Sequence, residues 1–370
     1  MRIAIDCRPL VRPWGGVRRY AQSLVEALAR NDRENEYALC GLPRSWDEPS
    51  FGPNLHAYPD RFPLARFVDQ VRLTAVPGGV DLYHGTNYMA PLIANFPTVI
   101  TVHDLSVNLL PRTHPMRRRL RHSLLPTLCR RASRIIADSM NTKRDLVRCH
   151  EIPADKIDVV YLAAGANLSR VSDTKVLTAV QERYGLPERF LLYVGSVEPR
   201  KNLPSVLEAM AALKESGRPE SLVIAGRGEP KYLAHIRAVL HRNGLEEGRD
   251  VHLTGPVAEG DLAALYSLCT LFVYPSLYEG FGLPPLEAMA CGAPVLLADN
   301  SSLSELFETS SAFVELDRPN GLLLAIEKLL DSQDLCDEFI EKGLKRAQSR
   351  NWDDIAIETL EVYRRASQAG

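Results

Sequence analysis

Along the whole of this 370-residue chain, short apolar runs too brief for helices alternate with stretches of helical period, and no other feature limits the fold as much. The first half carries Ile3–Cys7, Tyr37–Gly41, Val80–His84, Thr98–His103, Ile135–Ala137 and Ile157–Leu162. The second carries Phe190–Val194, Leu222–Ala225, Val251–Leu253, Leu271–Tyr274 and Val295–Ala298. Runs without polar alternation belong to strands buried on both faces, the condition of a parallel sheet covered by crossover helices. Two blocks of such runs, parted by the polar stretch Ser169–Lys175, predict two doubly wound Rossmann-like α/β domains. A chain of this length also exceeds what one hydrophobic core usually fills. The expected domains are 1–170 and 171–351, with a last helix over 352–367 capped at Asn351-Trp352-Asp353.

Composition closes off several classes. The seven cysteines form no CxxC pair and are odd in number, which argues for reduced thiols and against a zinc site or a disulfide frame. Arg2 and Asp6 interrupt the first apolar run, so no signal peptide is expected, and no run is long enough to span a bilayer. The expected location is the cytoplasm, in solution or peripheral on the inner face of the cell membrane. Charge is shared unevenly: residues 1–170 hold 24 Lys and Arg against 16 Asp and Glu, and residues 171–370 hold 20 against 30. Much of the basic excess lies in 112–134, where Arg117, Arg118, Arg119 and Arg121 mix with Leu120, Leu124 and Leu125 at helical spacing. Two interpretations stand: an amphipathic helix on an anionic membrane surface, or a solvated basic helix whose leucines face the core. Nucleic acid is not an expected partner, because no aromatic platform is interleaved with the arginines.

Doubly wound sheets bind ligands beyond the carboxyl ends of their strands, so the loops that follow strands carry the functional information. After Leu271–Tyr274 comes Glu279-Gly280-Phe281-Gly282-Leu283-Pro284-Pro285-Leu286-Glu287, two carboxylates at either end of a glycine turn that opens a helix. Glycines let backbone approach a ligand, and a helix N-terminus offers free N–H groups to anionic oxygen. Taken singly, Glu279 is a solvated loop acid and Glu287 a first-turn acid on the helix dipole; taken as a unit they suit a polyhydroxylated ligand. Phe190–Gly195 leads to Glu198-Pro199-Arg200-Lys201-Asn202, where adjacent cations at a strand mouth suit a diphosphate carrying about two negative charges. Gly226-Arg227-Gly228 and Thr254-Gly255-Pro256 are weaker signals for a planar base. In the first half, Pro13-Trp14-Gly15-Gly16 enters a helix over Val17–Arg30 but matches neither GxGxxG nor GxxxxGK(S/T). His103, ending the run Thr98–His103, is either a cleft donor to a sugar hydroxyl or a satisfied polar residue.

With these loops together, the chain resembles the retaining glycosyltransferases of GT-B fold, specifically the bacterial sugar-nucleotide-dependent family four, and is mannosyltransferase-like in its Glu-Pro-Arg-Lys-Asn wording. The likeness spans nearly the whole length and is most specific in the E-x7-E element Glu279–Glu287, in Tyr193–Asn202 and in the Gly15-Gly16 turn. It implies two domains facing across a cleft, an acceptor-binding first domain, a donor-binding second domain and a last helix, 352–367, that packs back on the first. It implies that Arg200 and Lys201 hold the donor diphosphate and that Glu287 accepts from the ribose hydroxyls. Glu279, with the Gly280, Phe281, Gly282 and Leu283 backbone, would hold the donor sugar; His103 would lie near its reacting end, and Gly15 and Gly16 near donor phosphate and acceptor. Leu162-Ala163-Ala164-Gly165 lacks the Asn-Gly turn frequent in the family.

The expected reaction is retaining transfer of a hexose, with a lean to mannose from GDP-mannose, onto a glycan or lipid-linked acceptor in cell-surface polysaccharide synthesis. No cofactor and no metal are expected, since no DxD-like pair stands in a suitable loop and two cations can take a divalent ion's place. The competing interpretations are another sugar-nucleotide enzyme of the same fold, such as an epimerase, and a non-catalytic sugar-nucleotide-binding subunit of a polysaccharide assembly complex.

Overall fold

A computed structural model of the chain describes residues 1–11, 15–43, 52–59 and 76–368; Pro13 and Trp14 of the glycine turn lie outside these. Seven parallel strands, β1 (Arg2–Asp6), β2 (Glu36–Cys40), β3 (Leu55–Tyr58), β4 (Leu82–Gly85), β5 (Thr98–Val102), β6 (Arg134–Ala137) and β7 (Ile157–Val159), form one sheet in the order 3-2-1-4-5-6-7. Six more, β8 (Phe190–Val194), β9 (Ser221–Ala225), β10 (Val251–Gly255), β11 (Leu271–Tyr274), β12 (Val295–Ala298) and β13 (Ala312–Val314), form a second parallel sheet in the order 10-9-8-11-12-13. These are two Rossmann-like α/β sheets. β5 and β9 are buried at every residue, as strands covered on both faces must be. The two strands that the apolar runs did not announce, β3 and β13, are both edge strands, short and partly exposed.

The chain divides into two compact units, Met1–Ala163 with Asn351–Gly370, and Ala164–Arg350. The division falls before residue 170 because the segment that follows it is tied to the second unit. Val171 donates its N–H to Ser267 Oγ at 3.0 Å, and Arg170 lies over Gly292. In the first unit the C-terminal helix Trp352–Gln368 is capped by Asn351, whose Oδ1 accepts from the N–H groups of Asp353 (2.8 Å) and Asp354 (3.0 Å). Arg30 and Asn31, at the end of the helix Gly16–Asn31, both donate to Asp353 at 2.7 Å.

The basic segment 112–134 is not one helix. Met116–His122 and Leu125–Arg131 are separate helices, and β6 begins at Arg134. Pro126 forces the break, since proline is accepted in a first turn but not inside a running helix. Leu125 and Leu128 turn into the core, while Met116 and Leu120 remain 70% and 72% exposed. Among the described residues no helix is long and apolar enough to cross a membrane.

In the second sheet the loops after β8 and β9 touch backbone to backbone. Gly195 donates its N–H to Ala225 O (3.0 Å), Val197 to Arg227 O (2.9 Å) and Gly226 to Gly255 O (2.8 Å). Gly226 has φ +151°, and a Cβ there would stand 1.8 Å from Gly195 O. Because the obstructing atom is backbone, it cannot swing aside. Gly226→Ala should therefore cost at least about 3 kcal/mol, a melting temperature lower by about 6 °C or more. Gly260→Ala, where a Cβ meets nothing within 4 Å, is the control. Equal melting of the two variants would contradict the close approach.

Candidate functional site

In the second sheet the chain winds outward from β8 through β9 to β10 on one side, and from β11 through β12 to β13 on the other. The loops after β8 and β11 therefore diverge and leave the carboxyl ends of these neighbours open, the place where doubly wound sheets take ligands. The short 3-10 turn Pro199–Lys201 follows β8, and the loop bearing Glu279 follows β11. Leu277 donates its N–H to Arg200 O at 2.8 Å, which locks the two loops together.

Three buried charged side chains meet there, with a fourth, Glu198, at their edge. Lys201 Nζ donates to Glu279 Oε1 and to Tyr274 Oη (2.6 Å), and lies 4.8 Å above the Tyr274 ring. Arg200 donates from one terminal nitrogen to Glu279 Oε2 and to the Tyr278 carbonyl, both at 2.9 Å, and its Nε lies 2.8 Å from Glu198. Arg200, Lys201 and Glu279 are 8%, 4% and 6% exposed. Burial alone would raise the Glu279 pKa, but Arg200 and then Lys201 draw it down to about 2. Burial and the neighbouring Arg200 charge push Lys201 down, against the pull of Glu279 and Glu198. Glu279 is thus an ionised, buried carboxylate, not a solvated loop acid. Two cations share it, an arrangement of charge-assisted donors in a dry setting that could act strongly on a polyanion.

Glu287 is placed differently. It lies in the helix Leu283–Ala290, is 1% exposed, and accepts from Tyr266 Oη at 3.0 Å, so it too is no solvated first-turn acid. Tyr266, Phe272, Tyr274 and Tyr193 form a column of ring contacts with centroids 5.6, 5.8 and 5.6 Å apart, ending beside Glu287 at one end and Lys201 near the other. Gly282 caps the helix at φ +101°, and a Cβ there would lie 2.8 Å from Leu303 Cδ2. Phe281 and Leu283 beside it are buried. Three residues that no motif singled out, Asn300, Ser301 and Ser302, hydrogen-bond this loop. A helix-start pattern was readable at that point, but not its target, which only the pairing of β11 with β12 creates.

In the first unit His103 has both ring nitrogens engaged: Nδ1 with Asp138 Oδ2 at 2.6 Å and Nε2 with the Thr86 carbonyl at 2.9 Å. Both partners are acceptors, a setting that favours an imidazolium donating twice. Burial opposes that charge, but the Asp138 carboxylate and the Thr86 carbonyl outweigh burial and raise the pKa. His103 thus presents no open N–H; reaching a substrate oxygen requires Nε2–H to leave Thr86 O. Gly15 and Gly16 are exposed at the start of the helix Gly16–Asn31, Gly15 with φ +119°. Tyr20 of that helix packs edge-on against His103, with ring centroids 4.8 Å apart. Behind it runs a buried chain: Tyr20 Oη to Thr101 Oγ1 (2.9 Å), Thr101 Oγ1 to His84 Nε2 (2.8 Å), and His84 Nδ1 to Tyr363 Oη (2.6 Å) on the C-terminal helix.

Burial first, then the charge of His103, lower the His84 pKa from 6.5 to about 3. Between these values the unfolded chain takes up a proton that the folded chain refuses. The stability His84 contributes is therefore whole above pH 6.5 and lost as pH falls towards 3. In thermal melts across this window, His84→Gln should show a shallower fall with acid than the parent, even if it melts lower at pH 7. Identical slopes would contradict a neutral His84.

Residues 180–346 match the family profile described as "Glycosyl transferases group 1", and residues 14–164 that described as "Glycosyltransferase Family 4". The chain is 29% identical to the O-antigen chain mannosyltransferase B of Escherichia coli, over 98% of this chain and 100% of that protein. It is 30% identical to a serotype-specific mannosyltransferase, WbdA, of Escherichia coli over 65% of this chain, but spans only 29% of that longer protein. Its fold is that of solved structures including sucrose-phosphate synthase from Thermosynechococcus elongatus, with a TM-score of 0.79, 23% identity and all of both chains covered. Anabaena HepE in complex with UDP-glucose aligns with a TM-score of 0.76 and 20% identity, over 98% of this chain and 99% of that one.

Proposed function

We propose a specific reaction for this chain, which belongs to the group 1, family-four glycosyltransferases of GT-B fold. It transfers a hexose, with retention and without a metal ion, from a nucleotide-diphosphate sugar to a glycan or lipid-linked acceptor in cell-surface polysaccharide synthesis. The donor we favour is GDP-mannose, on the mannosyltransferase names of the relatives. The observation that carries this is the meeting of Arg200, Lys201 and Glu279 at the switch point between β8 and β11.

As the bond from the anomeric carbon to the diphosphate oxygen lengthens, positive charge grows on the sugar and negative charge on the leaving group. Arg200 and Lys201 exchange part of their pairing with Glu279 for the diphosphate oxygens. Donors already fixed by folding need little reorganisation at that moment, which makes them the largest catalytic contribution. Glu279, so relieved, accepts from sugar hydroxyls, and Glu287 from the ribose. The acceptor oxygen attacks from the face the diphosphate leaves, and its proton passes to the departing phosphate oxygen. Two cations do the charge work of a divalent ion. His103 contributes by exchanging the Thr86 carbonyl for a substrate oxygen.

A thermal-shift panel of sugar nucleotides tests the donor. A ligand binding only the folded state at 100 times its dissociation constant adds about 2.7 kcal/mol, so GDP-mannose should raise the melting temperature by several degrees and more than UDP-glucose does. No shift with any sugar nucleotide would overturn the proposed function.

An anionic membrane surface is the partner proposed for the basic helices Met116–His122 and Leu125–Arg131. Exposed Met116 and Leu120 stand among Arg117, Arg118, Arg119 and Arg121 there. Pelleting with anionic vesicles should fall with added salt and with Arg117, Arg118 and Arg119 all changed to Ser. Protein that ignores such vesicles at low salt has no such surface.

A further inference from the structure

β12 lies beside β11, and the residues that follow it, Asn300, Ser301 and Ser302, open the helix Ser301–Phe307. A residue in the Asn300 position ordinarily turns its side chain onto its own helix's free N–H groups. Asn300 makes no such cap. Its Nδ2 donates instead to the Ser276 carbonyl at 2.9 Å, in the loop after β11. Ser301 Oγ accepts from the Glu279 N–H at 3.0 Å and donates to Asn300 Oδ1 at 2.8 Å. Ser302 Oγ, wholly buried, lies within bonding reach of two carbonyls, Glu279 O at 3.0 Å and Phe281 O at 3.2 Å. Ser301 takes φ +49°, which a residue with a Cβ enters only at a cost. Helix capping and backbone ease are both forgone here, and each departure points a polar group at the same loop.

That loop contains Gly280 and Gly282, so left to itself it would sample many conformations. We propose that Asn300, Ser301 and Ser302 are positioning residues that set the Glu279 carboxylate and the Gly280–Leu283 backbone for the sugar of the donor, giving affinity for the sugar over the bare nucleotide. This rests on the donor-site role assigned above. None of the three touches the reacting atoms; they act by pre-ordering a loop whose ordering would otherwise oppose binding.

Ser301→Gly separates positioning from plain stability, because it relieves the backbone while deleting the hydroxyl. A purely structural serine predicts a change in melting temperature with unchanged binding. Positioning predicts, whatever the melting temperature, a titrated affinity for GDP-mannose about 10-fold weaker and that for GDP changed less than about 2-fold. Ser302→Ala should show the same sugar-selective loss. Amide hydrogen exchange of Glu279–Leu283 without ligand should quicken about 10-fold in both variants. Loss of GDP and GDP-mannose affinity in equal measure would overturn the proposal, as would unchanged binding of both. If the parent binds neither ligand, GDP-mannose falls as the donor, yet the exchange measurement still decides: unaltered protection of the loop would show that the three side chains hold nothing.

Discussion

The ion cluster of Arg200, Lys201 and Glu279 is the constraint on which the second unit turns. Three buried charges are costly unless each oxygen and hydrogen finds a partner in good geometry. The parallel sheet supplies that geometry. β8 and β11 are neighbours, so the turn after one and the loop after the other begin a strand spacing apart. Tyr274 at the end of β11 gives Lys201 both a hydroxyl and a ring face. Replacing the cluster with apolar residues would be no great loss to stability, so a gain in stability does not account for three charges buried at this place.

In the first unit the analogous place, between β1 and β4, is closed by hydrogen bonds and by the ion pair of Asp6 with Arg8 at 2.7 Å. Thr86 donates to Asp6 O at 2.6 Å and accepts from His103, while His84, Thr101 and Tyr20 carry the contact on to the C-terminal helix. Arg365 of that helix pairs with Asp158 at 2.8 Å, and Asp158 pairs with Arg134 on β6 at 2.7 Å. The last helix is thus tied directly to β4 and β7, and through them to β5 and β6, of the unit in which the chain begins.

Much of this could be read from residues alone, for a definite reason. Parallel strands buried on both faces leave continuous apolar runs, so the central strands stood out, whereas the edge strands β3 and β13 bury too little to do so. Arg200, Lys201 and Glu279 could be picked out because each follows a strand and none is needed for packing. Their mutual pairing could not, since it depends on β8 and β11 being adjacent while 76 residues of sequence lie between them. His103 shows the same limit: its place at the end of β5 was legible, but not the acceptors Asp138 and Thr86 that occupy both its nitrogens. The break in the basic segment, by contrast, was written in Pro126 and passes for a continuous helix only when its leucine spacing is read alone.

Calorimetric titration of the parent and Lys201→Met with whichever of GDP and UDP binds the parent more tightly tests the central claim most directly. If the buried ammonium holds a diphosphate, the variant should keep its fold and bind about 100-fold more weakly, with Arg200 left to pair Glu279. Equal affinity in the two proteins would contradict the claim, and the cluster would then be a feature of folding alone.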